Sequence, residues 1–193
     1  GMGYIALEMC EAFGIRGIDT TMIKPGPVFL PWLPRDLAGV ISDELVHQGI
    51  AMHPGLEIKQ IESDADRLTL IGNSLSFKAD LVLAAAGVAP NSALATTAGL
   101  ALGNDGAIIV DEQMRTSDPH VYAAGDCADA FHLVSGERCW IPLALRANRA
   151  GWAVADNVCG RKTQLPGIVG TAVFKVFDLQ VARCGLTAAE AVK

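Results

Sequence analysis

The chain has 193 residues, of which 51% are hydrophobic and 19% charged, and its 15 basic and 21 acidic residues give a formal charge of −6. This balance is typical of a globular α/β protein and excludes the dense basic surface that binds nucleic acid. No apolar run approaches the roughly 20 residues needed to cross a bilayer, so we expect neither a membrane nor a nucleic-acid partner.

Helical and strand patterns alternate at the start of the chain. Residues 4–14 predict a helix and residues 18–23 a β-branched strand, which together begin a βαβ unit. After a loop punctuated by prolines, residues 36–49 predict a second helix. Its apolar side is expected to consist of Leu37, Val40, Ile41, Leu45 and Val46.

Strand patterns dominate the next stretch. Two short strands are predicted over residues 50–53 and 57–61, and a β-hairpin over residues 67–77 with its turn at Gly72-Asn73. Residues 79–86 form an apolar run that ends in Gly87, as expected of a buried parallel strand.

The glycine-rich start, Gly1-Met2-Gly3-Tyr4-Ile5-Ala6, matches the pattern G-x-G-x-x-G/A and runs directly into the first helix. Such a helix start leaves N–H groups for a pyrophosphate, and the helix dipole favours the negative charge. The pattern predicts a nucleotide site formed by Gly1, Gly3, Tyr4, Ile5 and Ala6. Gly1-Met2 also fits the remnant of a cleaved purification tag in front of an initiator methionine, which leaves the origin of Gly1 open.

A second candidate site is predicted by the run Thr116-Ser117-Asp118-Pro119-His120-Val121-Tyr122-Ala123-Ala124-Gly125-Asp126. We expect a turn, a short buried strand that includes Val121 and Tyr122, and a carboxylate just past its end. The small residues up to Gly125 let a ligand approach the backbone, and Asp126 offers two acceptor oxygens to sugar-type hydroxyls. A Gly-Asp turn that binds nothing is the alternative for these residues taken alone.

Two further elements follow. Residues 142–159 predict a helix that begins at Pro142 and stops before Gly160. Residues 170–185 alternate as two strands joined by a tight turn at Asp178.

The five cysteines are scattered along the chain, at Cys10, Cys127, Cys139, Cys159 and Cys184. They lack C-x-x-C or C-x4-C spacing, so we expect neither a dithiol pair nor a metal site. Cys10 and Cys159 fall within helical patterns and are predicted to be small buried hydrophobic residues. Unpaired cysteines fit a reducing cytoplasm, where we expect the protein to lie.

Several of these motifs share a family resemblance. T-S-D-P-H-V-Y-A-A-G-D-C resembles the second FAD-binding motif of the pyridine nucleotide-disulfide oxidoreductases, and G-x-G-Y-I-A-L-E is similar to the glycine motif of their NAD(P)H domain. Ala86-Gly87-Val88-Ala89-Pro90-Asn91 resembles the crossover between those two domains. I-P-L-A-x-x-A-N-R-x-G and G-T-x-x-x-K-V-F-D-L are similar to the branch that contains coenzyme A-disulfide reductases, NADH oxidases and persulfide reductases.

The resemblance implies roles for individual residues. Tyr4 would cover the flavin face until nicotinamide displaces it, and Glu8 would lie near the nicotinamide, so these two are the catalytic candidates. Ala86 and Gly87 would let the backbone pass close to the bound nucleotide. Asp126 would bind the ribityl-phosphate part of FAD. The helix start at Pro142, Leu143 and Ala144 would point at the pyrimidine edge of the flavin, where its dipole stabilises negative charge.

Lys24 bears on the choice between NADPH and NADH. Folds of this kind that select NAD carry an acidic residue after the second strand, which accepts the ribose 2′-OH. The residue after Ile23 is instead Lys24, whose cation favours a 2′-phosphate, although Arg35 could serve in its place. The cofactors expected are therefore FAD with NADPH or NADH.

The implied fold class is α/β, with a Rossmann-like nucleotide-binding domain in a three-layer ββα arrangement and part of a second, FAD-binding domain. Residues 1–88 would form the NAD(P)H domain without its first strand, residues 89–165 the C-terminal part of the FAD domain, and residues 166–193 the start of a dimerisation domain. Family members also carry an N-terminal FAD half-domain and, in this branch, a redox cysteine. Neither occurs here, so the chain is expected to be a fragment that is inactive alone.

The function implied for the parent is a flavin-dependent NAD(P)H oxidoreductase. It would reduce a disulfide, a persulfide of the coenzyme A type or dioxygen, and would act as a homodimer on a small-molecule substrate. Two alternatives stay open: a reductase of the ferredoxin or rubredoxin type, and a catalytically inactive nucleotide-binding module from a truncated reading frame.

Overall fold

The structure is a computed structural model that describes residues 1–28, 30, 33–64 and 66–192. The chain divides into two compact units. The N-terminal unit comprises Gly1–Gly87 and Val173–Val181, and the C-terminal unit comprises Val88–Ala172 and Ala182–Lys193. The division into three domains expected from the sequence stays a prediction.

The N-terminal unit begins with two helices and two strands in alternation. These elements are α1 (Tyr4–Ile15), β1 (Thr21–Lys24), α2 (Arg35–His47) and β2 (Ala51–Pro54). β1 and β2 pair in parallel, with Thr21 opposite Ala51 and Lys24 opposite Pro54. Both predicted helices and both predicted strands are confirmed, since a period of 3.6 and a β-branched run are local properties of the sequence.

The predicted hairpin is also confirmed and belongs to an antiparallel sheet. The sheet has the order β3 (Ile58–Asp64), β4 (Arg67–Gly72) and β5 (Ser76–Ala79). Leu70 of the central strand is buried, whereas Ile61 on β3 is 52% exposed. The edge strand therefore contributes little to the core of the unit.

The prediction of a buried parallel strand over residues 79–86 is wrong beyond Ala79, where β5 ends. Residues 81–90 form neither helix nor strand, and Leu81 and Leu83 are 61% and 45% exposed. Among the described residues, none forms a hydrogen bond with the backbone of residues 81–86. An apolar run becomes a strand only where a neighbouring strand pairs with it.

The predicted apolar side of α2 is only partly buried. Ile41 and Leu45 lie in the core, whereas Leu37, Val40 and Val46 are more than half exposed. The core covers only one face of α2. The apolar stripe that the sequence predicts is therefore wider than the stripe that is buried.

The C-terminal unit has less regular structure. Its helices and strands up to residue 158 are α3 (Ala93–Thr97), β6 (Ala130–Phe131), β7 (Arg138–Cys139) and α4 (Ala144–Val158). α4 ends before Gly160, whose φ of +82° suits glycine, so the predicted helix and its stop are confirmed. The core lies between α4, α3 and the loops of residues 100–128.

The short strand predicted before Asp126 is absent. Tyr122 forms a single antiparallel bridge with Arg115, and Val121 is 39% exposed. Ala123 is nevertheless buried in the core of the unit, and its N–H donates to the carbonyl oxygen of Met114. The residues that follow Tyr122 are small and lack strand propensity, so the pairing does not extend beyond this one bridge.

The tail forms the predicted strand pair and a short helix, namely β8 (Ala172–Val176), β9 (Leu179–Arg183) and α5 (Ala188–Ala191). Phe174 and Val176 of β8 lie in the core of the N-terminal unit, against residues of α1 and α2. Glu11 of α1 accepts hydrogen bonds from the Lys175 ammonium group and the Phe177 N–H. The hairpin therefore completes the core of the first 87 residues. No described helix has the length and apolar character required to span a bilayer.

Candidate functional site

The two glycines at the start of the chain have opposite surroundings. A β-carbon at Gly1 would lie 1.7 Å from the carbonyl oxygen of Ala85, a distance that no side chain can adopt. A β-carbon at Gly3 would meet no atom within 4 Å. Ala6, one turn later, is 8% exposed and packs into the core. Gly1 thus allows the backbone to pack closely, and Gly3 leaves open space in front of α1. Ala6 packs α1 against the core of the unit.

Gly3 is also the residue that precedes α1, and it provides no side-chain cap. The first N–H groups of a helix have no partner within the helix, so an uncapped start leaves them for a ligand. Their partial positive charge suits a phosphate. The geometry of Gly1, Gly3 and Ala6 therefore fits a dinucleotide pyrophosphate.

Three further predicted residues lie on the exposed side of α1. Tyr4 is 39% exposed, Ile5 is 45% exposed, and Glu8 is exposed as well. The ring of Tyr4 lies 6.3 Å from that of Phe174, centroid to centroid, at an interplanar angle of 40°. Tyr4 and Glu8 are one helical turn apart, so their side chains lie on the same face of α1.

Lys24 ends β1 and bends over the loop that follows it. Its ammonium group donates a hydrogen bond to the carbonyl oxygen of Val28. A β-carbon at Gly26 would lie 3.2 Å from Cε of Lys24, so the side chain passes over the glycine. The cation is therefore held at the carboxyl end of β1, where a dinucleotide ribose would lie in a fold of this kind.

Ala86 and Gly87 follow the irregular segment that touches Gly1. Both are exposed, and Gly87 has a φ of +109° with no atom near its missing β-carbon. The backbone there is open on one side, as the close passage of a nucleotide requires.

The Asp126 loop of the C-terminal unit is likewise open. Gly125 has a φ of +90°, no atom lies within 4 Å of the position of its missing β-carbon, and Asp126 is exposed. The indole Nε1–H of Trp140 donates to the carbonyl oxygen of Asp126 at 2.6 Å. Because Trp140 lies two residues before Pro142, this bond ties the loop to the segment that leads into α4.

The start of α4 is also uncapped. Leu143 precedes the helix without a side-chain cap, Pro142 and Leu143 are half-buried, and Ala144 is exposed. The Trp140 hydrogen bond thus links the Asp126 loop to the segment that leads into this uncapped helix start. An exposed carboxylate can accept hydrogen bonds from hydroxyl groups, and the start of a helix favours negative charge.

Sequence reasoning missed the residues that hold the Asp126 loop in place. Asp129 is 4% exposed, accepts from the Val110 N–H at 3.0 Å and forms a 2.6 Å ion pair with Arg138. Ile108 adds two backbone bonds, donating to Cys127 at 2.8 Å and accepting from Asp129 at 3.0 Å. Asp129 stands three positions after Asp126 in Gly-Asp-Cys-Ala-Asp, and this second acid was the available signal.

Arg146 on α4 faces inward rather than toward solvent. Burial lowers the pKa of its guanidinium group, which donates to the carbonyl oxygen of Pro166 at 3.2 Å. Asn148 and Arg149, one turn along, are exposed. Arg146 therefore has a packing role.

The cysteines are all free thiols. Cys10 is buried as predicted, and burial raises the pKa of its thiol to about 11. Cys159 is exposed, so the prediction that it is buried is wrong, because it lies just past the end of α4. Within the described ranges no three His, Cys, Asp or Glu side chains form a cluster that could hold a metal ion.

The α/β architecture and the glycine-started helix define a Rossmann-like nucleotide-binding protein. The family model for pyridine nucleotide-disulphide oxidoreductases matches residues 1–151. The chain belongs to this family, as the sequence motifs predicted.

Known relatives match 97–100% of the chain. It is 38% identical over 195 residues to the CoA-dependent NAD(P)H sulfur oxidoreductase of Pyrococcus furiosus, matching 100% of this chain and 44% of that protein. It is 32% identical to an NADH oxidase of Methanocaldococcus jannaschii, matching 97% of this chain and 42% of that protein. The crystal structure of an FAD-dependent pyridine nucleotide-disulphide oxidoreductase from Desulfovibrio vulgaris is similar with a TM-score of 0.91 and 36% identity, covering 100% of this chain and 49% of that one. The chain thus spans less than half the length of these relatives.

Proposed function

We propose that the chain is part of a flavin-dependent NAD(P)H oxidoreductase that reduces a disulfide, a persulfide of the coenzyme A type or dioxygen. Family membership and the names of the relatives support the class of reaction. When bound, FAD accepts the hydride of NAD(P)H and passes the electrons to the acceptor. The residues of this chain bind and orient the two cofactors.

The N-terminal unit binds the nicotinamide dinucleotide. The open backbone at Gly3 and the free N–H groups at the start of α1 accept the pyrophosphate, while Ala86 and Gly87 line its path. Tyr4 and Glu8, on the same exposed face of α1, lie next to the nicotinamide. Lys24 pairs with the 2′-phosphate of NADPH.

The C-terminal unit binds the flavin end of FAD. The Asp126 carboxylate accepts hydrogen bonds from ribityl hydroxyls, and Gly125 lets the ligand approach the backbone. The start of α4 at Pro142, Leu143 and Ala144 stabilises negative charge on the reduced ring. The hydrogen bond from Trp140 fixes the position of the Asp126 loop relative to the segment that leads into α4.

The substrate is a small molecule, and the parent protein acts as a homodimer in the cytoplasm. Exposed Asn148 and Arg149 on α4 suit the phosphates of coenzyme A or a partner subunit. Five free thiols fit a reducing compartment.

The contrast between Gly1 and Gly3 carries this proposal, because close packing at the first glycine and open space at the second are what a dinucleotide loop requires. The test is Gly3→Ala, with Gly39→Ala in α2 as the matched control. Neither added methyl group meets an atom within 4 Å, so both variants should fold.

Binding of NADH and NADPH is measured by titration calorimetry on the chain itself. We expect Gly3→Ala to weaken binding by about tenfold, or about 1.4 kcal/mol, because its methyl group lies where the pyrophosphate meets the helix. Gly39→Ala should bind as the unchanged chain does. Equal affinity for the two variants would refute the site.

A further inference from the structure

β8 contacts α1 at two places that lie two helical turns apart. At the start of the helix, the ring of Phe174 lies 6.3 Å from the ring of Tyr4, centroid to centroid. Farther along, the Lys175 ammonium group and the Phe177 N–H both donate to the Glu11 carboxylate. The contacts follow the same order along the strand as along the helix. β8 and the turn after it therefore lie alongside α1.

These contacts lie on the side of α1 that carries the two catalytic candidates. Tyr4, Glu8 and Glu11 are separated by four and three residues, so they share one side of the helix. The proposed function places Tyr4 and Glu8 next to the nicotinamide. The hairpin of β8 and β9 contacts this side of α1 both before and after Glu8. It is thus placed to fix the orientation of a side chain that meets the nicotinamide.

The turn of the hairpin is strained, and contacts with α1 hold it. Phe177 has a φ of +49°, a conformation that bulky side chains rarely adopt and that hairpin turns usually assign to glycine or asparagine. Its N–H donates to Glu11 at 2.7 Å, and a β-carbon at Gly14 would lie 3.1 Å from Cε1 of its ring. Strain of this kind persists where surrounding contacts hold the residue. The hairpin is therefore fixed relative to the helix.

The two aromatic rings differ in their freedom to move. Phe174 is 7% exposed and belongs to the core of the N-terminal unit, together with Val176 of the same strand. Tyr4 is 39% exposed, and its ring is inclined by 40° to that of Phe174. Aromatic pairs at this separation favour particular mutual orientations. Because the core is closely packed around Phe174, the contact determines the orientation of the Tyr4 ring.

We propose that Phe174 is a positioning residue for the nicotinamide of NAD(P)H. It holds the Tyr4 ring against β8, where the ring forms one side of the nicotinamide subsite. The orientation is set before the dinucleotide binds, so less conformational entropy is lost on binding. This role rests on the proposed function, and it adds to the site a residue that lies far from the glycine motif in the sequence.

The experiment compares NADH with ADP-ribose, which has the same adenosine and pyrophosphate but no nicotinamide. Phe174→Leu removes the ring and keeps most of the apolar volume. Val176→Ala is the matched control for lost core packing, because Val176 is fully buried on the same side of β8. Titration calorimetry on the chain itself gives both dissociation constants. We expect Phe174→Leu to weaken NADH binding by about fivefold and ADP-ribose binding by less than about twofold. Val176→Ala should leave the ratio of the two affinities unchanged.

A second measurement needs no substitution in β8, which covers the case in which Phe174→Leu does not fold. The chain has two tyrosines, Tyr4 and Tyr122, so NMR spectra of a sample with labelled tyrosine rings are simple to assign. Tyr122 lies in the C-terminal unit and serves as the reference. We expect saturating NADH, but not ADP-ribose, to shift the Tyr4 signals. The nuclear Overhauser effect between the rings of Tyr4 and Phe174 should persist in the NADH complex.

The results separate this role from the proposed function. Equal losses of NADH and ADP-ribose affinity in Phe174→Leu, or an equal change of their ratio in Val176→Ala, would show that Phe174 only packs the core. Loss of the Overhauser effect when NADH binds would show that the Tyr4 ring leaves Phe174. Each of these results would overturn the positioning role and leave the dinucleotide site intact. If the unchanged chain bound neither ligand, the proposed function would fail, and the role of Phe174 with it.

Discussion

Asp129→Ala should destabilise the C-terminal unit and loosen the Asp126 loop. The substitution leaves the buried Val110 N–H without its acceptor, which costs about 1–3 kcal/mol. It also removes the ion pair with Arg138, whose side chain is 35% exposed, so that this contact adds only about 1 kcal/mol. We therefore expect a loss of about 2–4 kcal/mol in the free energy of unfolding. Asp129→Asn keeps an acceptor for Val110 and should lose about half as much.

The assay uses the hydrogen bond between Trp140 and the Asp126 carbonyl oxygen as a local reporter. Of the three tryptophans, Trp32 and Trp152 are first replaced by phenylalanine, so that the emission comes from Trp140 alone. Urea unfolding gives the free energy, and the emission maximum of the folded form reports on the loop. Exposed Glu112→Ala serves as the control. If Asp129→Ala matched that control in both stability and emission, the role assigned to Asp129 would be wrong.

Further consequences concern single contacts. Accepting a hydrogen bond from Lys175 lowers the pKa of Glu11, so this carboxylate stabilises the folded state above its unfolded pKa and loses that contribution as the pH falls through the folded one. Urea titrations at several pH values should therefore show Glu11→Gln to be less stable than the unchanged chain at neutral pH, with the difference vanishing in acid. A constant difference across this range would contradict the assignment. Asn157→Ala removes three hydrogen bonds from a buried amide and should cost about 2–3 kcal/mol in the same assay, and a cost below about 0.5 kcal/mol would show that water replaces them. With a thiol pKa of about 11 and 2% exposure, Cys10 should resist iodoacetamide at pH 8 while exposed Cys159 reacts within minutes, as peptide mass mapping would show; equal labelling would mean that α1 opens readily.

Local patterns predicted the helices and hairpins well. The period of the first helix, the stop at Gly160 and the turn between β4 and β5 depend on residues close in sequence, and the structure has each of them. The structure of residues 79–86 could not be predicted from local sequence alone. Their apolar composition predicts a buried strand, yet a strand also requires a neighbour, and no such neighbour pairs with them among the described residues.

Features of the candidate sites that depend on local backbone geometry were predicted, whereas those that depend on distant residues were not. The glycine pattern predicted an open helix start because the roles of Gly1 and Gly3 follow from backbone geometry alone. The sequence could not distinguish the exposed Asp126 from the buried Asp129, since both follow small residues in one loop. Their difference depends on Arg138 and Val110, which come from other parts of the unit.

The hairpin of β8 and β9 also affects when the N-terminal unit can fold during synthesis. Glu11 and its partner Lys175 are 164 positions apart, which at about 5–20 residues per second separates their synthesis by roughly 10–30 seconds. During that interval the nascent N-terminal unit lacks Phe174 and Val176, so its interior around Leu7 stays incompletely covered. The core of the N-terminal unit can therefore close only after Phe174 and Val176 have been synthesised, long after its first helix has left the ribosome.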